Sequence, residues 1–132
     1  ANSYWSFINT ETGLPEKLTP ADTDPYDLGE KMEMDYAPRK IALPKERKPQ
    51  ESFAVQKHHL DTNHHVNNCQ YIRMAADFLP EDFAVHQLRV EYKRQAVLGN
   101  VMIPEVYMEA NKATVVLNAE DQEPYAVVEF TK

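Results

Sequence analysis

Residues 58–72 concentrate the side chains that could do chemistry, because this stretch holds four His, three Asn and one Asp. An extended backbone through residues 61–67 would alternate its side chains between two faces. The side chains that then share one face are Asp61, Asn63, His65 and Asn67. That face combines a carboxylate, two amides and an imidazole. His65 is the natural general base of such a set, because imidazole is the commonest proton acceptor in active sites.

A helix is predicted directly after this polar set. Apolar residues follow at the i, i+3, i+4, i+7 spacing of a helical stripe, namely Cys69, Ile72, Ala75, Ala76 and Leu79. The spacing predicts a helix over about residues 68–79, with Asn67 or Asn68 as N-cap and Pro80 beyond its far end. The first turn of a helix carries unpaired N–H groups and the positive end of the dipole, so it favours a developing oxyanion.

Other interpretations of the same residues remain open. Cys69 could act as a nucleophile, but its place on the apolar stripe favours a small buried core residue. A metal site would draw on His58, His59, His64, His65 and Asp61. Adjacent histidines on a strand point to opposite faces, so neither pair could easily chelate one ion, and we predict no metal ligands. The structural alternative for the polar set is a turn whose side chains cap the helix and pair with loop backbone groups.

The string Asp61-Thr-Asn63-His-His65-Val-Asn-Asn-Cys-Gln-Tyr71 resembles the D-x-N-x-H-V-N-N-x-x-Y motif of the acyl-ACP thioesterases of plants and bacteria. The resemblance continues through residues 90–100, which are similar to the family strand that follows the helix. It also reaches back to residues 3–15, similar to the segment that closes the first of that family's two hotdog domains. The resemblance implies an α+β hotdog fold, in which an antiparallel β-sheet wraps around one central α-helix.

The resemblance also implies how the chain is divided. Residues 1–50 would hold the closing strand of a preceding hotdog domain plus a linker, and residues 51–132 the hotdog domain that carries the catalytic motif. Because 132 residues bury no more than one ordinary core, two hotdogs do not fit. We therefore expect either an expression fragment or a diverged short form. Pairing with a second hotdog domain, or with a second copy as a homodimer, is expected.

The activity implied by the resemblance is hydrolysis of fatty acyl-ACP thioesters to free fatty acid, without a cofactor. The motif assigns catalysis to Asp61, Asn63, His65 and Gln95, and substrate binding to Asn67, Asn68 and Tyr71. Plant members carry a Glu-Cys pair where this chain has Gln95 and Ala96, so neither a carboxylate base nor a matched cysteine nucleophile is available there. That departure leaves two alternatives open: a non-catalytic acyl-thioester-binding or domain-pairing module, and an acyl-CoA thioesterase.

Composition narrows the possible partners. A net charge of −7 and a pI near 5.2 argue against nucleic acid or an anionic membrane, because both attract basic surfaces. No apolar run approaches the roughly 18 residues that a membrane span needs, and no basic-then-apolar leader opens the chain. A single Cys gives no sign of a disulfide scaffold. We therefore expect a cytoplasmic protein. The family resemblance implies an acyl carrier protein as its partner.

The remaining elements are predicted from turn residues and alternation. A first strand is expected at about residues 52–60, and four more at 85–97, 101–110, 113–119 and 125–131. Residues 39–48 carry five basic side chains and one acidic one, between prolines that disfavour a helix. This tract is predicted to be a solvated linker, with a docking patch for an acidic carrier protein as the alternative.

Overall fold

The computed structural model describes residues 2–27, 29–34 and 36–132. The chain forms two compact units, residues 1–36 and residues 37–132. The predicted boundary after residue 50 concerns the hotdog domains of a longer protein and stays a prediction. No helix among the described residues is both long and apolar enough to cross a membrane.

The first unit contains little regular structure. Ile8 pairs with Pro15 through a single bridge, around a turn in which the Asn9 side chain accepts the backbone N–H groups of Glu11 and Thr12. Helix α1 (Pro20–Thr23) follows, with Thr19 as its N-cap. Among the residues described in this unit, the regular features are this closed turn and one short helix.

The second unit is built on a six-stranded antiparallel sheet. Its strands are β1 (Lys48–Pro49), β2 (Phe53–Ala54), β3 (Gln87–Tyr92), β4 (Val101–Met108), β5 (Lys112–Asn118) and β6 (Pro124–Thr131). The order across the sheet is β1-β4-β5-β6-β3, and β2 also pairs with β4. The last three predicted strands are confirmed, whereas β3 ends at Tyr92 and is shorter than the predicted strand over residues 85–97.

Helix α2 (Asn68–Ala76) packs against the inner face of this sheet. Its buried residues Tyr71, Met74 and Ala75 join one core cluster with inward-facing residues of the sheet, among them Leu117 and Phe130. An antiparallel sheet that packs around one helix is the predicted α+β hotdog fold, which is confirmed. Burial of this apolar surface is the main source of the unit's stability.

The predicted stripe is confirmed at Ala75, which is buried, and Ile72, Ala76 and Leu79 are partly buried against the same core. It fails at its first residue. Cys69 is exposed, so the expectation that it is a small core residue is wrong. Tyr71 and Met74, which lie outside the predicted stripe, are buried as well, so the buried side of α2 is wider than the stripe.

The predicted strand at residues 52–60 is also wrong beyond its first residues. Pairing with β4 stops at Ala54, and a 3₁₀ turn follows at Lys57–His59. The backbone N–H of Gln56 donates to His59 Nδ1 at 2.9 Å, which closes this turn with a side chain. Short polar and imidazole side chains that bind nearby backbone groups compete with strand pairing.

The basic tract packs on the outer face of the sheet. Ile41 is buried in a small cluster with Val116 and Val127, so the tract is not a fully solvated linker. Arg47 Nε donates to a carboxylate oxygen of Glu105 at 2.8 Å, and the Ile41 N–H donates to Glu91. These contacts hold the segment that leads into the domain against the sheet.

Candidate active site

Residues 60–66 form a tight hairpin, so the predicted extended backbone at 61–67 is wrong. Leu60 pairs with Val66, the Asp61 N–H donates to the His65 carbonyl at 2.8 Å, and the His64 N–H donates to the Asp61 carbonyl at 3.1 Å. His64 adopts a φ of 60°, the left-handed conformation that reverses the chain. The Asp-Thr-Asn sequence favours this turn, because short polar side chains bind their own backbone.

The carboxylate of Asp61 stabilises the hairpin. Its Oδ1 accepts the backbone N–H groups of Asn63 at 2.8 Å and of His65 at 3.3 Å. This oxygen therefore pairs with backbone groups of the loop, which is the structural role that the sequence offered as an alternative to catalysis. Oδ2 makes no hydrogen bond to any residue that the structure describes, so it remains available to a substrate or water.

The hairpin pairs with residues 95–97, which brings distant polar residues together. His65 and Val97 form an antiparallel bridge, and the Val66 N–H donates to the Ala96 carbonyl at 2.8 Å. Val66 and Ala96 are both buried on the core side. Because alternate residues of a strand face opposite sides, their neighbours His65 and Gln95 project from the other side of this ladder.

This pairing brings the backbone segments of three of the four predicted catalytic residues together. Asp61 lies across the hairpin from His65, and Gln95 lies on the adjacent segment. Asn63 sits at the tip of the turn. Asp61 and His65 are half-buried, whereas Asn63 and Gln95 are exposed. The predicted proximity of these segments is explained by the ladder, and the catalytic role of each residue stays a prediction.

The start of α2 lies directly after this hairpin, and most of its first amide groups are already paired. Asn67 is the N-cap, as predicted, and its side-chain oxygen accepts the Cys69 N–H at 2.9 Å. The Gln70 N–H donates to the Asn67 carbonyl at 2.8 Å. The Asn68 N–H has no partner among the described residues. The predicted oxyanion site at the helix start therefore narrows to this one amide.

Tyr71, predicted to bind substrate, is instead enclosed in the core with 2% of its surface exposed. Its hydroxyl oxygen accepts the buried Ala96 N–H at 2.9 Å. Burial raises the pKa of the Tyr71 hydroxyl, so this group stays protonated at neutral pH. Substrate contact by Tyr71 stays a prediction that these contacts do not support.

Tyr92 is a neighbour that sequence analysis did not single out. Its hydroxyl donates to the Asn68 carbonyl at 3.2 Å, and its ring centroid lies 6.0 Å from that of Tyr71. Burial raises the pKa of Tyr92, as does the nearby Cys69. Tyr92 ends β3 and so ties that strand to the first turn of α2. In the sequence, the signal for Tyr92 was its position three residues before Gln95, which the helical spacing of the apolar residues does not single out.

The histidine pair at 58–59 departs from the predicted geometry. In the 3₁₀ turn the two rings contact each other edge to face, with centroids 4.1 Å apart, so these adjacent histidines do not point to opposite faces. Partial burial lowers the pKa of His59, and the neighbouring His58 lowers it further. Across residues 2–27, 29–34 and 36–132, no three His, Cys, Asp or Glu side chains are grouped to hold a metal ion.

Residues 29–127 match the model of a family described as the acyl-ACP thioesterase C-terminal domain. The chain belongs to this family. The match contains every residue that the sequence predicts to act in catalysis or binding, since these lie between positions 61 and 95. The sequence resemblance drawn from the polar motif is thereby confirmed at the level of the family.

Solved structures of thioesterases share the fold. An acyl-ACP thioesterase from Bacteroides thetaiotaomicron superposes with a TM-score of 0.79 at 18% identity, covering 94% of this chain and 52% of that one. The 12:0-ACP thioesterase from Umbellularia californica gives a TM-score of 0.70 at 15% identity, with the same coverage of 94% and 52%. The chain therefore spans about half the length of these two proteins, and at such identities they show the fold alone.

A shorter hotdog protein is also similar. A Staphylococcus aureus hypothetical protein, solved in complex with CoA, gives a TM-score of 0.56 at 17% identity over 67% of this chain and 75% of that one. A search of curated proteins found no match.

Proposed function

We propose that this acyl-ACP thioesterase C-terminal domain carries the hydrolytic site for a fatty acyl thioester. The observation that carries the proposal is the pairing of the hairpin with residues 95–97, which supports a common site for His65, Asp61 and Gln95 next to the start of α2. A helix cap needs only one side chain, here Asn67, and so does not account for this larger set. Family membership supports the same chemistry.

In the proposed reaction, His65 accepts a proton from a water molecule as the water oxygen attacks the thioester carbonyl carbon. The negative charge that develops on the carbonyl oxygen is stabilised by the unpaired Asn68 N–H. The carbon–sulfur bond then breaks, and the proton held by His65 passes to the leaving thiolate. The products are a free fatty acid and a thiol.

Asp61, Asn63 and Gln95 position the water. The free Oδ2 of Asp61 can accept a hydrogen bond from the water or from the imidazole. The amides of Asn63 and Gln95 can hold the water by hydrogen bonds, although neither can take its proton. Cys69 is not required, because in this mechanism the attacking atom is the water oxygen.

The proposed substrate is acyl-ACP, in line with the family's description. The proposed setting is fatty acid biosynthesis in the cytoplasm. An acyl-CoA substrate is the second candidate, because the similar Staphylococcus aureus protein holds CoA. The two substrates share the phosphopantetheine thioester and differ in the carrier. Comparing kcat/KM for acyl groups of equal length on the two carriers decides between them.

The proposal is tested by assaying the complete gene product for release of fatty acid and free thiol. His65→Ala is expected to lower kcat by about 10²–10⁴-fold, the usual contribution of a general base. Asn63→Ala is expected to lower it less, because it removes one water contact. His86→Ala is the matched control, since His86 is exposed and lies outside the site. Wild-type turnover at background would instead support a non-catalytic binding or pairing module.

A further inference from the structure

The Tyr71 side chain fixes both the hairpin and residues 95–97, which together form the ladder, to the protein core. The Tyr71 hydroxyl accepts the Ala96 N–H at 2.9 Å, and the Ala96 carbonyl accepts the Val66 N–H at 2.8 Å. Gln95 directly precedes Ala96, and His65 directly precedes Val66. A chain of two hydrogen bonds therefore runs from the buried helix to the backbone beside each of these two polar residues.

We infer that Tyr71 is a positioning residue of this site: its hydroxyl sets the distance between the Gln95 and His65 side chains. The inference rests on the proposed function. Ala96 has no exposed surface, so its N–H depends on the Tyr71 hydroxyl as its acceptor. A buried amide that loses its acceptor shifts to find another, and here any shift moves Gln95.

Arg94, which precedes Gln95 in the chain, is anchored independently of Tyr71. Arg94 forms a two-point ion pair with Asp121, with nitrogen–oxygen distances of 2.7 and 3.0 Å, and the Arg94 N–H donates to the Tyr125 carbonyl. With this anchor in place, loss of the Tyr71 contact would release only the Ala96 side. The expected movement is therefore small and local. Displacement of a catalytic group by about 1 Å can cost up to about 10²-fold in rate.

The test is Tyr71→Phe in the complete gene product, because this change keeps the ring packed and removes only the hydroxyl. We expect kcat to fall by about 3- to 10-fold, no more than loss of the Gln95 side chain itself, with KM changed by less than about twofold, since substrate contacts are retained. Backbone hydrogen exchange at Ala96 should accelerate. Val128→Ala, which weakens the same core without touching the ladder, is the stability control and should leave kcat unchanged.

A double-mutant cycle separates positioning from general destabilisation. If Tyr71 acts through Gln95, Tyr71→Phe should change kcat by less than about twofold in a Gln95→Ala background. Full additivity of the two effects, or an unchanged kcat in Tyr71→Phe with faster exchange at Ala96, would overturn the inference and leave the proposed function intact. A wild-type protein without turnover would instead overturn the proposed function, and the inference with it.

Discussion

The two carboxylate oxygens of Asp61 have different surroundings, which explains how one residue can serve both the fold and the proposed chemistry. Oδ1 accepts two backbone N–H groups of the hairpin, whereas Oδ2 is free of partners in the described part of the chain. The sequence offered these roles as competing alternatives. They are compatible, because a carboxylate has four acceptor positions and the turn uses two of them.

Gln95 provides a prediction at the same scale. Gln95→Ala is expected to lower kcat by about tenfold, because the amide no longer holds the attacking water. Gln95→Glu keeps an acceptor and adds a carboxylate, so it should retain more activity than Gln95→Ala and lose that advantage at acid pH as the carboxylate becomes protonated. Steady-state kinetics across pH measures both effects.

Gln87→Ala is the matched control, since Gln87 is an exposed residue at the start of β3, whereas Gln95 lies beyond the end of that strand. An unchanged kcat in Gln95→Ala would show that the residue at this position has no part in the reaction.

Residue types in the motif indicated a candidate site, but they did not assign each residue its contact. Tyr71 was placed among the substrate-binding residues because the family motif includes it, and it lies in the core instead. Cys69 was placed in the core because it is weakly apolar, and it is exposed. The assignment of Cys69 depended on the phase of the helix. The sheet that covers it fixes that phase through contacts far apart in sequence.

At the scale of elements, the 3₁₀ turn at Lys57–His59 was predicted to be part of a strand over residues 52–60, and extended backbone was considered where the hairpin of residues 60–66 lies. Each is held by a side chain that replaces a strand partner: the Asp61 carboxylate in the hairpin and the His59 ring in the turn. Both side-chain contacts are local, so the polar residues could have predicted them. Alternation of side chains did not distinguish the turns from a strand, because it fits a turn-rich stretch as readily as a strand.

The 3₁₀ turn predicts a dependence of stability on pH. His59 Nδ1 accepts the Gln56 N–H and its folded-state pKa is lowered, so the folded protein binds fewer protons than the unfolded chain. The contribution is fully present above the unfolded value of about 6.5 and is lost as the pH falls toward the folded pKa. The urea midpoint should therefore decrease between about pH 7.5 and pH 5.

His59→Asn should flatten this part of the pH profile, because the Asn side-chain oxygen can accept the same N–H without titrating in this range. His86→Asn is the control and should leave the profile unchanged, since His86 is exposed. Equal slopes for wild type and His59→Asn would contradict this account of the turn.

At the scale of the whole molecule, the sheet and its central helix were predictable because β4, β5 and β6 follow one another through short turns. β3 shows the limit of that reasoning. It lies beside β6 at the sheet edge, although β4 and β5 lie between them in sequence. Likewise, only the fold brings Ala96 against Val66, so the ladder that joins Gln95 to His65 could be expected from the family pattern but not from local periodicity.

The measurement that tests the central claim most directly is kcat for acyl-ACP hydrolysis by wild type and Asp61→Asn. Asn keeps an oxygen for the hairpin N–H groups but removes the charge, so we expect the free energy of unfolding to change by less than about 1 kcal/mol. We expect kcat to fall by at least about tenfold, because Oδ2 can no longer act as an anionic acceptor. An Asp61→Asn protein that folds normally and keeps the wild-type kcat would contradict the proposed site.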